Sequence, residues 1–327
     1  MNFQEVIGQE HIIGHLQSAI RAGKVSHAYL LQGEAGSGKK TLARIFAAAL
    51  QCEEQGIEPC GRCQSCRQAM SGNHPDIRTI THEKAAIGVD DIRLQLNQDI
   101  MIKPYSRPYK VYLIEDAETM TEQAQNAMLK TIEEPPEYAV ILLLTVNAKR
   151  LLPTVLSRCT QLSLRPVPKT AIRKLLCENY GIAPHMAELA ADFADGVPGR
   201  AIGYASAESF VVKKDEVLRV LRRMPEATAE ELYRTAKDWA GRKTELPELL
   251  AMMNLWFRDV LVVKAAGEKG GILFREEQNE LFRQAERLSY RRLEEIGTAI
   301  EQLQQRMNAN VNLELATELL LLTIKGV

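Results

Sequence analysis

Gly33-Glu34-Ala35-Gly36-Ser37-Gly38-Lys39 constrains this chain more than any other stretch. Residues 28–31 before it are apolar and 39–50 after it have a helical pattern, the strand, loop and helix setting of a phosphate-cradling loop. The glycines let backbone N–H groups turn toward phosphate oxygens, while Lys39 and the start of the helix add positive potential. A glycine turn without function rarely combines this spacing with a Gly-Lys pair and a flanking strand. One position departs from the pattern. Such loops carry Ser or Thr after the lysine to ligate Mg²⁺, and this chain carries Lys40. Thr41 comes next, but it is rotated about 100° around the helix and does not simply take over. Gly33, Gly36, Ser37, Gly38, Lys39, Lys40 and Thr41 are the candidate nucleotide residues, expected to meet ATP or ADP with Mg²⁺ poorly held.

Cys52, Cys60, Cys63 and Cys66 follow in the form C-x7-C-x2-C-x2-C, with Gly61-Arg62 and Gln64-Ser65 inside two tight knuckles. Each short turn places two sulfurs on one metal, and four thiolates close a tetrahedron, which points to structural zinc with no open catalytic position. Free or transiently oxidised thiols are the other reading, although a redox Cys-x-x-Cys pair would leave the remaining two unexplained. Cys159 and Cys177 lie elsewhere and are expected to be buried as small apolar residues.

The 327 residues allow two or three domains, with ample apolar content for their cores. A net charge of −1 gives no electrostatic footprint for strong DNA binding by the chain alone, so a nucleic-acid role would operate through an assembly. The opening Met-Asn-Phe-Gln-Glu does not read as a signal peptide and the apolar runs are short. The expectation is a cytoplasmic protein with no membrane contact, a setting in which clustered cysteines bind metal more readily than they form disulfides.

In the first half, apolar runs at 28–31, 77–80, 111–114, 140–145 and 161–164 predict strands. Helical stretches at 39–50, 89–100 and 122–132, with a short one ending near Ser157, separate them. This alternation predicts a parallel α/β sheet whose ligand sits at the strand C-termini. After Pro166-Val167-Pro168 the pattern is helical, broken at Gly181-Ile182-Ala183-Pro184, Gly196-Val197-Pro198-Gly199, near Pro225 and Pro247, and at Gly270-Gly271. The division is an α/β P-loop domain over 1–165 with a zinc module at 52–66, a helical lid over 166–207 and an all-α domain over 208–327.

Lys110-Val111-Tyr112-Leu113-Ile114-Glu115-Asp116 is a strand ending in acidic residues. In P-loop ATPases a first Asp at this place holds Mg²⁺, and a following Glu polarises water. Here the order is reversed, so Glu115 is one methylene too long and Asp116 one too short. Misplacement by about 1 Å can cost about a hundredfold in rate, which makes the pair a degenerate Walker B motif. Acidic residues that merely face solvent at a strand end are the plain alternative. His27, His74 and His82 are scattered and carry no catalytic expectation, while Trp239 and Trp256 lie on apolar helical faces and read as core.

Several longer segments resemble the AAA+ clamp-loader family of bacterial DNA replication. They are Ser26-His27-Ala28-Tyr29-Leu30-Leu31-Gln32-Gly33, the cysteines after the loop, Leu129-Lys130-Thr131-Ile132-Glu133-Glu134-Pro135-Pro136, Leu151-Leu152-Pro153-Thr154-Val155-Leu156-Ser157-Arg158-Cys159, Pro198-Gly199-Arg200-Ala201 and Trp256-Phe257-Arg258-Asp259. The resemblance implies that Arg158 is presented in trans to ATP on an adjacent subunit, that 145–147 is the sensor 1 region, and that Arg200 is the sensor 2 residue. It also implies that the C-terminal domain forms a collar joining subunits, where Leu303, Met307, Leu313, Leu315, Leu319, Leu322 and Ile324 crowd one end of the chain. Tau/gamma and delta subunits in a hetero-pentameric ring, the sliding clamp and primed DNA are the implied partners.

Within that family, the hydrolysing tau/gamma motors and the delta prime group share these motifs. A motor is expected to carry Gly-Lys-Thr and an Asp-Glu pair, and a long motor form a further tail. The Gly-Lys-Lys and Glu-Asp of this chain, with Ser157-Arg158 intact, are similar to the delta prime group, which assists a neighbour's ATP and hydrolyses little of its own. The alternatives are a tau/gamma-like motor and, from another class, an independent P-loop nucleotide kinase. Against the kinase stand the cysteine module, the Ser-Arg-Cys segment and the helical tail. Arg158 taken alone could equally be a solvated helix-end arginine.

Overall fold

The structure is a computed structural model describing residues 2–82, 86–206, 208–267, 271–307 and 311–326. Of the predicted chain breaks, Gly270 lies outside the described residues. By contacts the chain groups into two compact units, residues 1–181 with 194–201, and residues 182–193 with 202–327.

The first unit is built on five strands, β1 (Ala28–Gln32), β2 (Ile77–Thr79), β3 (Lys110–Ile114), β4 (Ala139–Thr145) and β5 (Thr160–Ser163), in the order β2-β3-β4-β1-β5. All pairs are parallel, with Leu30 opposite Leu143 and Leu113 opposite Leu142. Buried on both faces, β3 and β4 read as unbroken apolar runs, as parallel strands do. The period of two then divides their side chains between two cores. Leu30, Tyr112, Ile114, Ile141 and Leu143 face one core together with Met128 and Ile132 of α5 (Glu122–Glu133). Tyr29, Leu31, Val111, Leu113 and Leu142 face the other, with Ile12 and Leu16 of α1 (Glu10–Ala22) and Ile45 and Phe46 of α2 (Lys39–Gln51). The expected strands form within one residue or so at each end.

The helix expected over 89–100 is not regular. After α4 (Val89–Ile92) the backbone widens into π turns over Arg93–Gln98 and then tightens into a 3₁₀ turn, Asp99–Met101. Tertiary bonds override the helical register here. Asn97 donates to the Ala127 carbonyl (2.9 Å) and accepts from Thr131, while the Asp99 carbonyl takes the buried Lys110 ammonium (2.8 Å). A short α3 (Gln64–Met70), capped by Cys63, contains the second cysteine knuckle, α6 (Pro153–Leu156) precedes β5, and α7 (Lys169–Tyr180) follows it.

The second unit, among the described residues, is helical. It holds α8 (Pro184–Phe193), α10 (Glu208–Arg223), α11 (Ala229–Gly241), α12 (Leu246–Ala266), α13 (Gln278–Arg287), α14 (Tyr290–Arg306) and α15 (Leu313–Lys325). The helix α9 (Pro198–Ser206) begins in the first unit, which holds residues up to 201, and ends in the second. Trp239 and Trp256 are core residues, and their indole N–H groups donate to Glu216 and Gln284, so neither buried donor is orphaned. Leu303 and Ile324 are buried, and Met307, Leu313 and Leu322 pack against the same core. Leu315 and Leu319 instead point outward, 55% and 53% exposed. No helix among the described residues is long and apolar enough to cross a membrane.

Candidate functional site

The glycine-rich loop leaves the C-terminal end of β1 and feeds α2, with Gly38 as N-cap. Gly36 and Gly38 sit at φ +84° and +97°, a region costly for side-chain-bearing residues, and a Cβ on Gly33 would come 2.8 Å from Ser37 Oγ. Buried Lys39 turns back onto the loop and donates to the carbonyls of Gly33 (2.5 Å) and Glu34 (2.8 Å). Burial pulls its pKa down, partly opposed by the carboxylates of Glu118 and Asp116. Ser37 Oγ is buried without a hydrogen-bond partner, as fits a loop built to surround something. These residues suit a polyphosphate.

They do not suit a divalent cation. Lys40, in the first turn of α2, sets its ammonium 2.8 Å from Glu115 and 3.9 Å from Asp116, the acidic pair that ends β3. Arg44, one turn on, lies 3.5 Å from the other Glu115 oxygen. Hydrogen bonding to Glu115 raises the Lys40 pKa, so the group stays charged. The carboxylate that would carry Mg²⁺ is thus already paired with two cations, and the residue that would supply a hydroxyl supplies an ammonium. Asp116 itself has a left-handed backbone, φ +50°, which Asp tolerates better than most residues.

Arg200 on α9 pairs with Glu34 in the loop, and the Gly199 N–H donates to the Gly36 carbonyl at 2.9 Å. A Cβ on Gly199 would meet that carbonyl oxygen at 2.7 Å, so glycine is required for α9 to lie on the loop. Thr145 is fully buried, and its hydroxyl donates to Glu118 at 2.7 Å, while Asn147 caps the turn that follows. Arg158 lies after α6, away from this group. Its guanidinium meets Glu133 at 2.8 Å and donates to the Thr154 carbonyl at 2.9 Å, with the side chain 36% exposed. Glu34, Arg44, Glu118 and Glu133 escaped the motif reading. Their roles come from pairings that span as many as 166 residues, although an acid inside the loop at Glu34 was a visible signal.

The four cysteines converge, their sulfurs all within 4.8 Å of one another. Cys60 and Cys66 Sγ atoms stand 4.0 Å apart, close to the roughly 3.8 Å that Zn–S bonds of about 2.3 Å give in a tetrahedron. Backbone N–H groups of Cys60, Cys63 and Cys66 donate to the sulfurs of Cys52, Cys60 and Cys63 at 3.3–3.4 Å, an arrangement that favours thiolates. Burial opposes ionisation of Cys63, but hydrogen bonds from the Glu53 and Cys66 backbone and the adjacent thiols outweigh it and hold the group at about 7. Burial pushes Cys66 up, so full ionisation of the set needs a cation at its centre. The donors therefore fit a closed structural metal site. The knuckles are braced to the sheet edge by a chain of bonds. Asp76 N–H donates to His74 Nδ1 (3.0 Å), which leaves the proton on Nε2 to reach Ser65 Oγ (2.9 Å), and Ser65 in turn donates to the Gln51 carbonyl (2.6 Å). Cys159 and Cys177, expected to be buried, are only partly so.

A phosphate loop after β1, an acidic pair after β3 and a parallel sheet between them define an α/β P-loop protein. A family described as DNA polymerase III, delta subunit, matches residues 8–168. The DNA polymerase III delta prime subunit of Bacillus subtilis (strain 168) is 28% identical over 321 residues, 97% of this chain and 96% of that one. The tau subunit of the same strain is 30% identical over 304 residues, covering 86% of this chain, and that of Escherichia coli (strain K12) is 32% identical over 284 residues, covering 80%. The chain spans 54% and 44% of those two tau subunits. A solved gamma subunit-related protein of Thermotoga maritima aligns with a TM-score of 0.42 and 21% identity, over 95% of this chain and 98% of that one. The chain belongs to the DNA polymerase III clamp-loader family, as a member of the delta prime group.

Proposed function

We propose that the chain acts in DNA replication as the non-hydrolysing companion in a clamp loader, a ring with tau/gamma and delta subunits that places a sliding clamp on primed DNA. The observation that carries this reading is the ion pair of Lys40 with Glu115 at 2.8 Å, which occupies the metal side of its own pocket. The three-part division at 165 and 207 belongs to the same proposal, with a nucleotide domain, a lid bearing Arg200, and a collar on which Leu315 and Leu319 offer apolar contact to other subunits. Zinc on Cys52, Cys60, Cys63 and Cys66 would hold the module at 52–66 as a rigid knob. Arg158 would leave Glu133 and reach the γ-phosphate of ATP on a neighbour, where a guanidinium neutralises charge developing on the transferred phosphoryl group.

The test is steady-state ATP hydrolysis by the purified chain, alone and mixed with motor subunits. The expected result is negligible turnover alone and full turnover in the mixture. Motor-like turnover by the chain alone would instead support the tau/gamma reading, and phosphoryl transfer to a small acceptor would support a kinase.

A further inference from the structure

The Lys40 side chain does more than disable a metal site. An ammonium has three donors, and Lys40 spends one on Glu115 at 2.8 Å, with Asp116 at 3.9 Å. The side chain is 51% exposed, so the remaining donors are free to turn toward a ligand. It stands one residue beyond Lys39, in the first turn of the helix that the glycine loop feeds, where an ordinary P-loop places the Mg²⁺ hydroxyl. Glu115 anchors the ammonium, and Arg44 adds a second cation at 3.5 Å to the same carboxylate.

We infer that this pocket is a metal-independent nucleoside di- or triphosphate site in which the Lys40 ammonium, anchored on Glu115, takes the counter-charge role that Mg²⁺ plays elsewhere. The inference rests on reading the loop as a nucleotide cradle. Beside it, Ser37 Oγ is buried against Gly33 without a hydrogen-bond partner, and Gly36 and Gly38 keep the loop in left-handed conformations. A bound nucleotide would be a structural ligand. With Glu115 paired to Lys40 and Arg44, the metal side is occupied by cations, so the nucleotide would stabilise the loop and the Arg200 helix without being turned over.

The experiment is equilibrium titration of the purified full chain with ATP and with ADP, in excess Mg²⁺ and in excess EDTA. The expected affinities agree within about twofold between the two conditions. Lys40→Thr is expected to lose about tenfold or more in EDTA, the loss of one charged hydrogen bond, and to regain part of it on adding Mg²⁺. Lys40→Arg keeps the cation and is expected to remain indifferent to Mg²⁺. Circular dichroism and zinc content matching the unmodified chain would show that the variants are folded. Binding only in Mg²⁺, no binding in either condition, or an unchanged affinity of Lys40→Thr in EDTA would each overturn the inference. None of these results bears on Arg158 in the assembled ring, and a ring indifferent to Arg158 would leave the titration result standing.

Discussion

At the scale of single residues, the molecule depends on charges placed where they can be answered. Lys110 is buried, and its ammonium meets the Asp99 carboxylate at 2.8 Å and the carbonyls of Asp99 and Ile102, with the Tyr112 hydroxyl on the same carboxylate. Burial alone would raise the Asp99 pKa, but Lys110 and Tyr112 outweigh it and hold the group below its usual range. A depressed carboxylate contributes stability that is present above its unfolded pKa, about 3.9, and is lost as pH falls through the folded value. Asp99→Asn should therefore cost about 2–3 kcal/mol at neutral pH, since it uncouples a buried ammonium. That deficit should close as the pH drops below about 4. Urea unfolding of both proteins across this range measures it, and a deficit independent of pH would count against the ionised pair.

At the scale of elements, the cysteine module is a knob attached through α3 and the Ser65–His74 brace. Cys63→Ser should abolish stoichiometric zinc and raise amide exchange over residues 52–66, while β1, β3 and β4 remain protected, because the module sits on the surface of a sheet with its own two cores. Zinc analysis with hydrogen exchange reads both effects, and unchanged zinc content would refute the four-thiolate site. The elements were legible in the sequence to the extent that local chemistry decides them. Strands β3 and β4 are continuous apolar runs because both faces are covered, and the loop announces itself through its glycines. The wide turns at 93–98 were not legible, since they follow from bonds to α5 and β3 far along the chain. Nor were the pairings of Glu34 with Arg200 and Lys40 with Glu115. Motif spacing identified Lys40 as a departure; only the fold shows what the ammonium does. Composition at the C-terminus shows an apolar crowd but not how it divides: Leu303, Met307, Leu313, Leu322 and Ile324 close the helical core, while Leu315 and Leu319 point outward.

At the scale of the whole molecule, the proposed role is that of a subunit whose own pocket would hold nucleotide without hydrolysing it and whose Arg158 would serve another site. Arg158 is partly exposed, paired with Glu133 and hydrogen-bonded to the Thr154 carbonyl and the Ser157 hydroxyl, surface contacts worth little in water and easily exchanged for phosphate. The cations at its own loop are Lys39, Lys40 and Arg200, bonded to the loop carbonyls, Glu115 and Glu34. The most direct test is ATP hydrolysis at single-site resolution in a reconstituted ring that contains Arg158→Ala, with subunit content verified and zinc intact. The account predicts normal assembly and a fall of about 10³ or more at the adjoining motor site, with clamp loading reduced in step. Unchanged hydrolysis and loading in a ring shown to hold the variant would contradict it.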